Sequence, residues 1–255
     1  MTRIILFTAF FLATLAAAAQ VTENRNLSGF SKIEVATGVE LIYTQSANTS
    51  LKVAAETAEQ LQAITTEVSG NTLKIKITIP ENQKGKKRNK QWNNFKNAKV
   101  YLSHPAITDF KASSSATIRF ENEVAVKQLQ LEVSSSGSIY GSVKCTGATI
   151  AISSSGTLKS NLNADKATVK MSSSATASLS GKVNNLTLEA SSSSSFEAKK
   201  LEAVNASIMT SSSADATITV SGHLNAEATS SSSINYYGNA TADVTKSSSG
   251  SVSKK

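Results

Sequence analysis

Cysteine and histidine, on which many catalytic and metal sites depend, are nearly absent from this chain of 255 residues. Cys145 is the one cysteine, which excludes an intramolecular disulfide and a thiolate metal cluster. The two histidines, His104 and His223, adjoin Pro105 and Gly222 in segments that favour turns. We therefore expect Cys145 to be a small buried wall residue, neither histidine to act as a base, and the protein to need no metal or cofactor.

Aromatic and charged residues are also scarce. Aromatic residues make up 5% of the sequence and charged residues 17%. Both fractions are low for a compact globule but ordinary for a solenoid of thin coils, in which each coil buries only a narrow interior. The formal net charge is +8.

Beyond the first residues, no apolar run approaches the length needed to span a bilayer. The first nineteen residues begin with Arg3, continue through IILFTAFFLATL and end in AAAA before Gln20. This pattern predicts a signal peptide over residues 1–19 with cleavage before Gln20. Because no cysteine lies near the cut, we expect a secreted, periplasmic or cell-surface protein without a lipid anchor or a transmembrane segment.

A block of consecutive serines recurs about every nineteen residues through the second half of the chain, and such a fixed period indicates a repeat architecture. The starts are 18 to 21 residues apart, a register that a serine-rich linker has no reason to keep. The blocks are SSSA from Ser113, SSSG from Ser134, SSSG from Ser153, SSSA from Ser172, SSSS from Ser191, SSSA from Ser211, TSSS from Thr229 and SSSG from Ser247.

Each block lies within an alternation of apolar and polar residues that is typical of strands with one buried face. Extending that alternation through the block places its middle serine inside, as in Leu131, Val133, Ser135, Gly137 and Ile139. We therefore predict an all-β fold, a single-stranded parallel β-helix with about nineteen residues per coil and a buried serine ladder at one corner. The ladder would comprise Ser114, Ser135, Ser154, Ser173, Ser192, Ser212, Ser230 and Ser248.

Residues 20–109 contain strand patterns without the serine block. FSKIEV, VELIYT, LKVAAE and TLKIKITI are of this kind, with a turn at Ser69, Gly70 and Asn71 and one helical turn within 57–64. We predict that this part continues the sheets and covers the first coil, since an open solenoid end exposes strand edges. Residues 110–255 would form the serine-block coils.

A basic loop interrupts the strand patterns at residues 81–99, which read ENQKGKKRNKQWNNFKNAK. Basic residues interleaved with aromatics are typical of surfaces that bind anionic polymers. In an exported protein, an anionic glycan or cell-surface polymer is a more fitting partner than nucleic acid. The alternative is a solvated excursion from the sheet. The candidate binding residues are Lys84, Lys86, Lys87, Arg88, Lys90, Trp92 and Phe95.

The strands FSKIEVATGVELIYTQ, LKVAAE and NTLKIKI, followed by His104, Pro105 and periodic small-residue blocks, resemble the putative auto-transporter adhesin head GIN domain family. Blocks rich in serine and glycine are usual in that family, and SSSG and SSSA occupy the matching places here. The resemblance implies a right-handed parallel β-helix in envelope or secreted proteins of Bacteroidetes-type bacteria. It carries no catalytic residues.

Three kinds of function agree with these features to different degrees. We favour a non-catalytic adhesin-like or structural protein that presents serine- and threonine-rich faces and the basic loop. A glycan-binding module acting through the loop is the first alternative, and ice binding fits less well because the outward residues lack threonine methyl groups. A polysaccharide-active enzyme is the other alternative, but acidic residues are scattered and only Glu121 and Glu123 stand close together in the repeats.

Overall fold

The computed structural model describes residues 20–79, 95 and 97–255, so the predicted signal peptide lies outside the described residues. The fold is nearly all-β, with 3% helix. Eighteen strands join in one sheet. In chain order the elements are β1 (Val21–Arg25), β2 (Lys32–Val35), β3 (Glu40–Gln45), β4 (Ser50–Ala55), α1 (Ala58–Ala63), β5 (Ile64–Ser69), β6 (Thr72–Ile77), β7 (Lys99–His104), β8 (Asp109–Ala112), β9 (Thr117–Phe120), β10 (Val124–Val133), β11 (Ser138–Ile152), β12 (Thr157–Met171), β13 (Thr176–Ala190), β14 (Ser195–Thr210), β15 (Asp215–Ala228), β16 (Ser233–Tyr237), β17 (Thr241–Lys246) and β18 (Ser251–Lys254).

The chain winds into a β-solenoid of about 8 turns that are about 19 residues apart. Strands β10 to β15 pair in parallel with the strand one coil further on. Leu131, Ile150 and Val169 are successive partners in this register. The predicted parallel solenoid with one serine block per coil is therefore confirmed.

The interior is filled by columns of apolar side chains that stack along the axis. One such column lies three residues before each turn from residues 36–39 to the block at Thr229, and each of these eight members exposes 1% of its surface or less. Before the last block the equivalent residue is Val244, which is 43% exposed. Burial of each larger aliphatic side chain contributes about 1.5–3 kcal/mol, so the column is a main source of stability. Its members are Ile33, Phe110, Leu131, Ile150, Val169, Leu188, Ile208 and Ala226.

Each serine block forms a tight turn between two sides of a coil. The fourth residue of each block donates its backbone N–H to the carbonyl of the first at 2.8–3.3 Å. The second and third residues have φ between 48° and 65°, so both are left-handed, as in a type I′ turn. In the first seven blocks the third residue also donates its N–H at 3.0 Å to the carbonyl of the middle serine one coil on. The turns thus stack through their backbones.

The predicted burial of the middle serines is wrong. Ser114, Ser135, Ser154, Ser173, Ser192, Ser212, Ser230 and Ser248 are all exposed. Two consecutive left-handed residues break the strand alternation, so the second and third side chains face solvent and alternation resumes at the fourth residue. The small fourth residue is buried in seven blocks and half-buried at Gly250. The ladder is therefore a backbone ladder, and its serine hydroxyls lie outside.

The stack begins before the first serine block. Residues 36–39 form an equivalent turn, with Thr37 and Gly38 left-handed and Val39 buried. Gly38 donates its N–H to the Ser114 carbonyl at 3.0 Å, as in the serine turns. The sequence ATGV carries no serine block, and for that reason the periodicity of the serines does not reveal this coil.

Antiparallel strands cover the first coils, in agreement with the expected covering of this end. Strand β5 pairs antiparallel with β6, and β4 joins β7 to β1 in the same manner. The predicted helical turn is α1, which begins where the Thr57 side chain accepts the Gln60 N–H at 3.3 Å. The predicted turn before Asn71 contains left-handed Gly70 between β5 and β6.

Ser194 and Ser232 occupy the same position, the fourth, in their turns, and both hydroxyls are buried, but only one of them is hydrogen-bonded. Ser232 Oγ donates to the Thr210 carbonyl at 2.9 Å and lies 2.8 Å from Thr210 Oγ1. Among the described residues, Ser194 Oγ is the one fully buried side-chain polar atom without a hydrogen-bond partner. The residue equivalent to Thr210 in the coil before Ser194 is Met171, which offers no hydroxyl.

We predict that Ser194→Ala raises the free energy of unfolding by about 1 kcal/mol, since an unpaired buried hydroxyl is removed. Ser232→Ala should instead lower it by about 1–2 kcal/mol, because Thr210 then loses its partner. Urea unfolding followed by circular dichroism measures both. Shifts of the two midpoints in the same direction would contradict the assignment.

Candidate functional site

The turns place two rows of exposed serines along one edge of the solenoid, here named the turn edge. It consists of the second and third residues of the eight blocks, from Ser114 and Ser115 to Ser248 and Ser249. Successive turns are about 4.8 Å apart, the spacing of neighbouring strands. Within the described part of the chain, these hydroxyls make no hydrogen bond to another protein group. They are therefore available to an external ligand.

A third column of small polar residues follows the turn edge on its downstream side. The residue directly after each block starts a strand and points outward, and seven of the eight carry a hydroxyl. A polyhydroxylated ligand could both donate to and accept from such groups. The column is Thr117, Ser138, Thr157, Thr176, Ser195, Asp215, Ser233 and Ser251.

A groove of about 730 Å³ runs along the upstream side of the turn edge. Its outward side chains are largely charged, and two ion pairs lie on this strand face, Lys111 to Glu132 at 2.8 Å and Lys170 to Glu189 at 2.9 Å. Met209, whose exposure is 50%, is its one exposed large apolar side chain. Glu227 also lines the groove and takes part in no ion pair within the described residues, so the groove keeps a small negative charge that does not favour an anionic ligand.

The strands on either side of the predicted basic loop belong to the solenoid. Strand β6 pairs with β2 and β7 with β3, the two strands on either side of the turn at 36–39. The described residues at the two ends of the loop therefore lie beside this turn. Six of the predicted binding residues lie outside the described residues, namely Lys84, Lys86, Lys87, Arg88, Lys90 and Trp92.

The end of the basic segment belongs to the solenoid body. Phe95 is half-buried and packs against the core, so its ring helps to anchor the segment. Lys99 lies on β7 and forms an ion pair with Glu40 at 3.4 Å, and Arg119 binds the same carboxylate at 2.7 Å. Burial opposes ionisation of Glu40, but the two cations outweigh it and lower the pKa of this carboxyl. Lys99 is thus paired.

The two histidines show no catalytic arrangement. The His104 ring packs against Phe30 with centroids 4.8 Å apart, and burial lowers the pKa of this imidazole. His223 lies on β15, not in the expected turn, with Nε2 3.3 Å from Asp243. Neither is hydrogen-bonded to a side-chain hydroxyl that it could activate.

Metal and thiol chemistry find little support in the described residues. No group of three or more histidine, cysteine, aspartate or glutamate side chains in ranges 20–79 and 97–255 could hold a metal ion. Cys145 is half-buried and packs against the core. Burial, with a smaller effect of Asp165, raises the pKa of its thiol, so that a reactive thiolate is disfavoured.

The sequence matches the family described as putative auto-transporter adhesin, head GIN domain, over residues 29–161 and again over 141–240. The chain belongs to this family. The two overlapping matches follow the repeated coils, and together they include the covering strands β4 to β7 and most serine blocks, whereas β1 precedes the first match. No curated protein matches the sequence.

Solved structures share the fold over nearly the whole chain. A putative adhesin from Parabacteroides distasonis is 16% identical, with a TM-score of 0.83, and the alignment covers 93% of this chain and 97% of that one. A putative adhesin from Parabacteroides merdae is 15% identical, with a TM-score of 0.82 and coverage of 92% and 96%. A putative lipid binding protein from Parabacteroides distasonis is 21% identical, with a TM-score of 0.80 and the same coverage. At these identities the likeness shows the fold alone.

Across the part of the chain that the structure describes, no helix has both the length and the apolar character that crossing a membrane requires.

Proposed function

We propose that the protein is a non-catalytic adhesive head exported to the cell envelope, and that the turn edge is its principal contact surface for polysaccharide. The observation that carries this proposal is the repetition of one exposed serine pair in each of the eight serine blocks, with hydroxyls that bond to no other group among the described residues. A periodic ligand can meet such an array many times, so weak single contacts add up through multivalency. Membership of an adhesin-like family and the predicted signal peptide are consistent with it.

The left-handed backbone of the turn edge allows its hydroxyls to be removed without loss of stability. Glycine adopts positive φ without steric cost, whereas serine at Ser154, Ser155, Ser173 and Ser174 is held in that conformation by the stack. Replacing these four serines by glycine should keep or raise the thermal midpoint. The same variant deletes four hydroxyls from the edge, so binding and folding are separated.

We expect the four-glycine variant to be retained less on immobilised bacterial cell-surface polysaccharide than the unchanged mature chain. The control replaces Thr149, Thr168 and Thr187 by alanine, which removes outward hydroxyls from the neighbouring strand face. Loss of retention in the glycine variant alone supports the turn edge. Equal retention of all three proteins at equal stability would rule it out.

The basic loop is a second candidate, because the described residues at its two ends lie beside the turn at 36–39. Its cations would attract anionic glycans over about 8–10 Å at physiological ionic strength. Trp92 and Phe95 would add ring contacts with sugars, although Phe95 already packs against the core.

Replacing Lys86, Lys87, Arg88 and Lys90 by serine should lower the salt concentration that elutes the protein from heparin, because four positive charges are lost. The matched control replaces Lys127, Lys144, Lys166 and Lys246, exposed lysines of the solenoid, by serine. Equal elution shifts for the two variants would show that heparin responds to the net charge of the protein and not to a binding site in the loop.

A further inference from the structure

The coil that begins at Ser191 has 20 residues, one more than each of the three coils before it. The pairing of β13 with β14 shifts between Ser178 and Ser180, and the extra residue is accommodated on β14 beside Lys200. It forms a bulge, which leaves both Lys199 and Lys200 exposed. Bulges commonly redirect a side chain towards a binding site.

The bulge borders a cleft of about 680 Å³ on the side of the coils that follows the turn edge. The cleft is concave because the chain bends sharply at Gly141 and Gly181, where φ is 138° and 108°. A Cβ at Gly181 would collide with the Leu162 carbonyl oxygen, so a side chain cannot fill the bend. Small residues therefore keep the cleft open.

Three lysines, Lys159, Lys199 and Lys200, line this cleft against one carboxylate, Glu197. In the described part of the chain none of the three takes part in an ion pair. Lys199 Nζ lies 4.2 Å from the centroid of the Tyr237 ring, a cation–π contact that positions the ammonium without neutralising its charge. The cleft thus has a net positive charge that the protein leaves uncompensated.

Apart from Gly141 and Leu179, the remaining lining groups are polar or aromatic. Tyr140 forms one wall, and Arg119 lies over its ring at 4.7 Å while its charge is taken by Glu40. Asn161 donates through Nδ2 to Ser180 Oγ at 3.2 Å, so the floor presents fixed amide and hydroxyl groups. The apolar lining residue, Leu179, is buried to 3% exposure and offers no contact area.

We propose that this cleft binds a carboxylated or sulfated saccharide. The lysines would pair with the acidic groups, the serine and asparagine groups would bond to sugar hydroxyls, and the Tyr140 ring would pack against the C–H face of a sugar. Apart from the lysine methylenes and the Tyr140 ring, no exposed apolar side chain lines the cleft, so an acyl chain or an apolar peptide anchor finds little to pack against. The site is separate from the turn edge and the basic loop, so it extends the proposed function to a second, charge-selective surface.

The test measures binding of fluorescent oligogalacturonate and of a heparin hexasaccharide to the mature chain. All proteins carry serine at Lys86, Lys87, Arg88 and Lys90, which removes the loop as a competing site. Maltohexaose is the neutral probe, and vesicles of phosphatidylglycerol represent an anionic lipid surface. The two acidic probes distinguish a carboxylate from a sulfate as the bound group.

Lys199→Ser with Lys200→Ser should raise the Kd of the acidic oligosaccharide at least about fivefold. Lys127→Ser with Lys166→Ser changes the net charge equally outside the cleft and should raise it less than about twofold. Tyr140→Ala, which leaves the charge unchanged, should also weaken binding, with thermal unfolding confirming that it folds. Equal effects of the two lysine pairs, binding of maltohexaose as tight as that of the acidic probes, binding to vesicles alone, or no binding of either acidic probe would overturn the proposal.

Discussion

Replacing Gly156 by leucine is expected to lower the free energy of unfolding by about 3 kcal/mol, because the fourth turn position has no room for a large side chain. A Cβ at Gly156 would lie 2.8 Å from the Val133 carbonyl oxygen of the preceding coil. That carbonyl accepts the Ser153 N–H at 2.9 Å, so it cannot move without loosening the turn. Other turns accept alanine or serine here, and leucine exceeds both by several carbons.

Ser154→Leu is the matched control within the same turn. Its side chain is exposed, so the change should cost less than about 1 kcal/mol, as for most surface substitutions. Urea unfolding followed at a β-sheet circular dichroism band measures both variants. If Ser154→Leu lowered the free energy of unfolding more than Gly156→Leu does, the middle serines would have to face inward, and the described turn would be contradicted.

Phe196→Ala should destabilise the protein by about 3–5 kcal/mol, the usual cost of emptying a buried aromatic site. Phe196 is 0% exposed and stacks in an interior column between Ala177 and Ala216. Its ring fills space that the two alanines leave, and the truncated column would contain three alanines in succession. The neighbouring side chains in the column are too small to fill the cavity.

A compensating change separates the cavity from other causes. Adding Ala177→Leu to Phe196→Ala returns volume to the same column and should recover part of the lost stability, whereas Ala177→Leu alone should be destabilising through overpacking. Chemical denaturation of the four proteins gives the coupling energy. Additive effects of the two substitutions would show that these side chains do not share one space.

The serine blocks were sufficient to predict the coil length and the parallel stack, because a conformation repeated in each coil leaves a repeated residue pattern. They were insufficient to orient the middle residue. The buried residues before and after the turn, Val133 and Gly137, are an even number of positions apart. An uninterrupted strand alternation would therefore place Ser135 inside as well, and the sequence pattern alone does not distinguish this from the observed turn. The reversal depends on two left-handed residues, which serine adopts only because the stacked backbones hold it there.

Other features were missed for different reasons. The turn at 36–39 lacks serine, although Thr37 and Gly38 between two alternating strands could have indicated a turn. The bulge that exposes Lys199 and Lys200 could be predicted from the sequence, because the coil that begins at Ser191 has 20 residues instead of 19. The concave shape of the cleft could not, because it depends on the bend at Gly181, which packs against Leu162. The sequence was sufficient to predict that strands cover the first coils, because an open sheet edge needs covering. It did not indicate that these strands pair antiparallel.

The stacking of the coils also determines how the protein would respond to mechanical load. The hydrogen bonds between coils run along the solenoid axis, so tension applied at its two ends pulls directly against one interface at a time. A released coil of about 19 residues could extend by about 60 Å, whereas in the stack it contributes about 4.8 Å. Under flow, the molecule would lengthen in steps and dissipate work at each one, while the coils that remain folded keep their exposed surfaces intact.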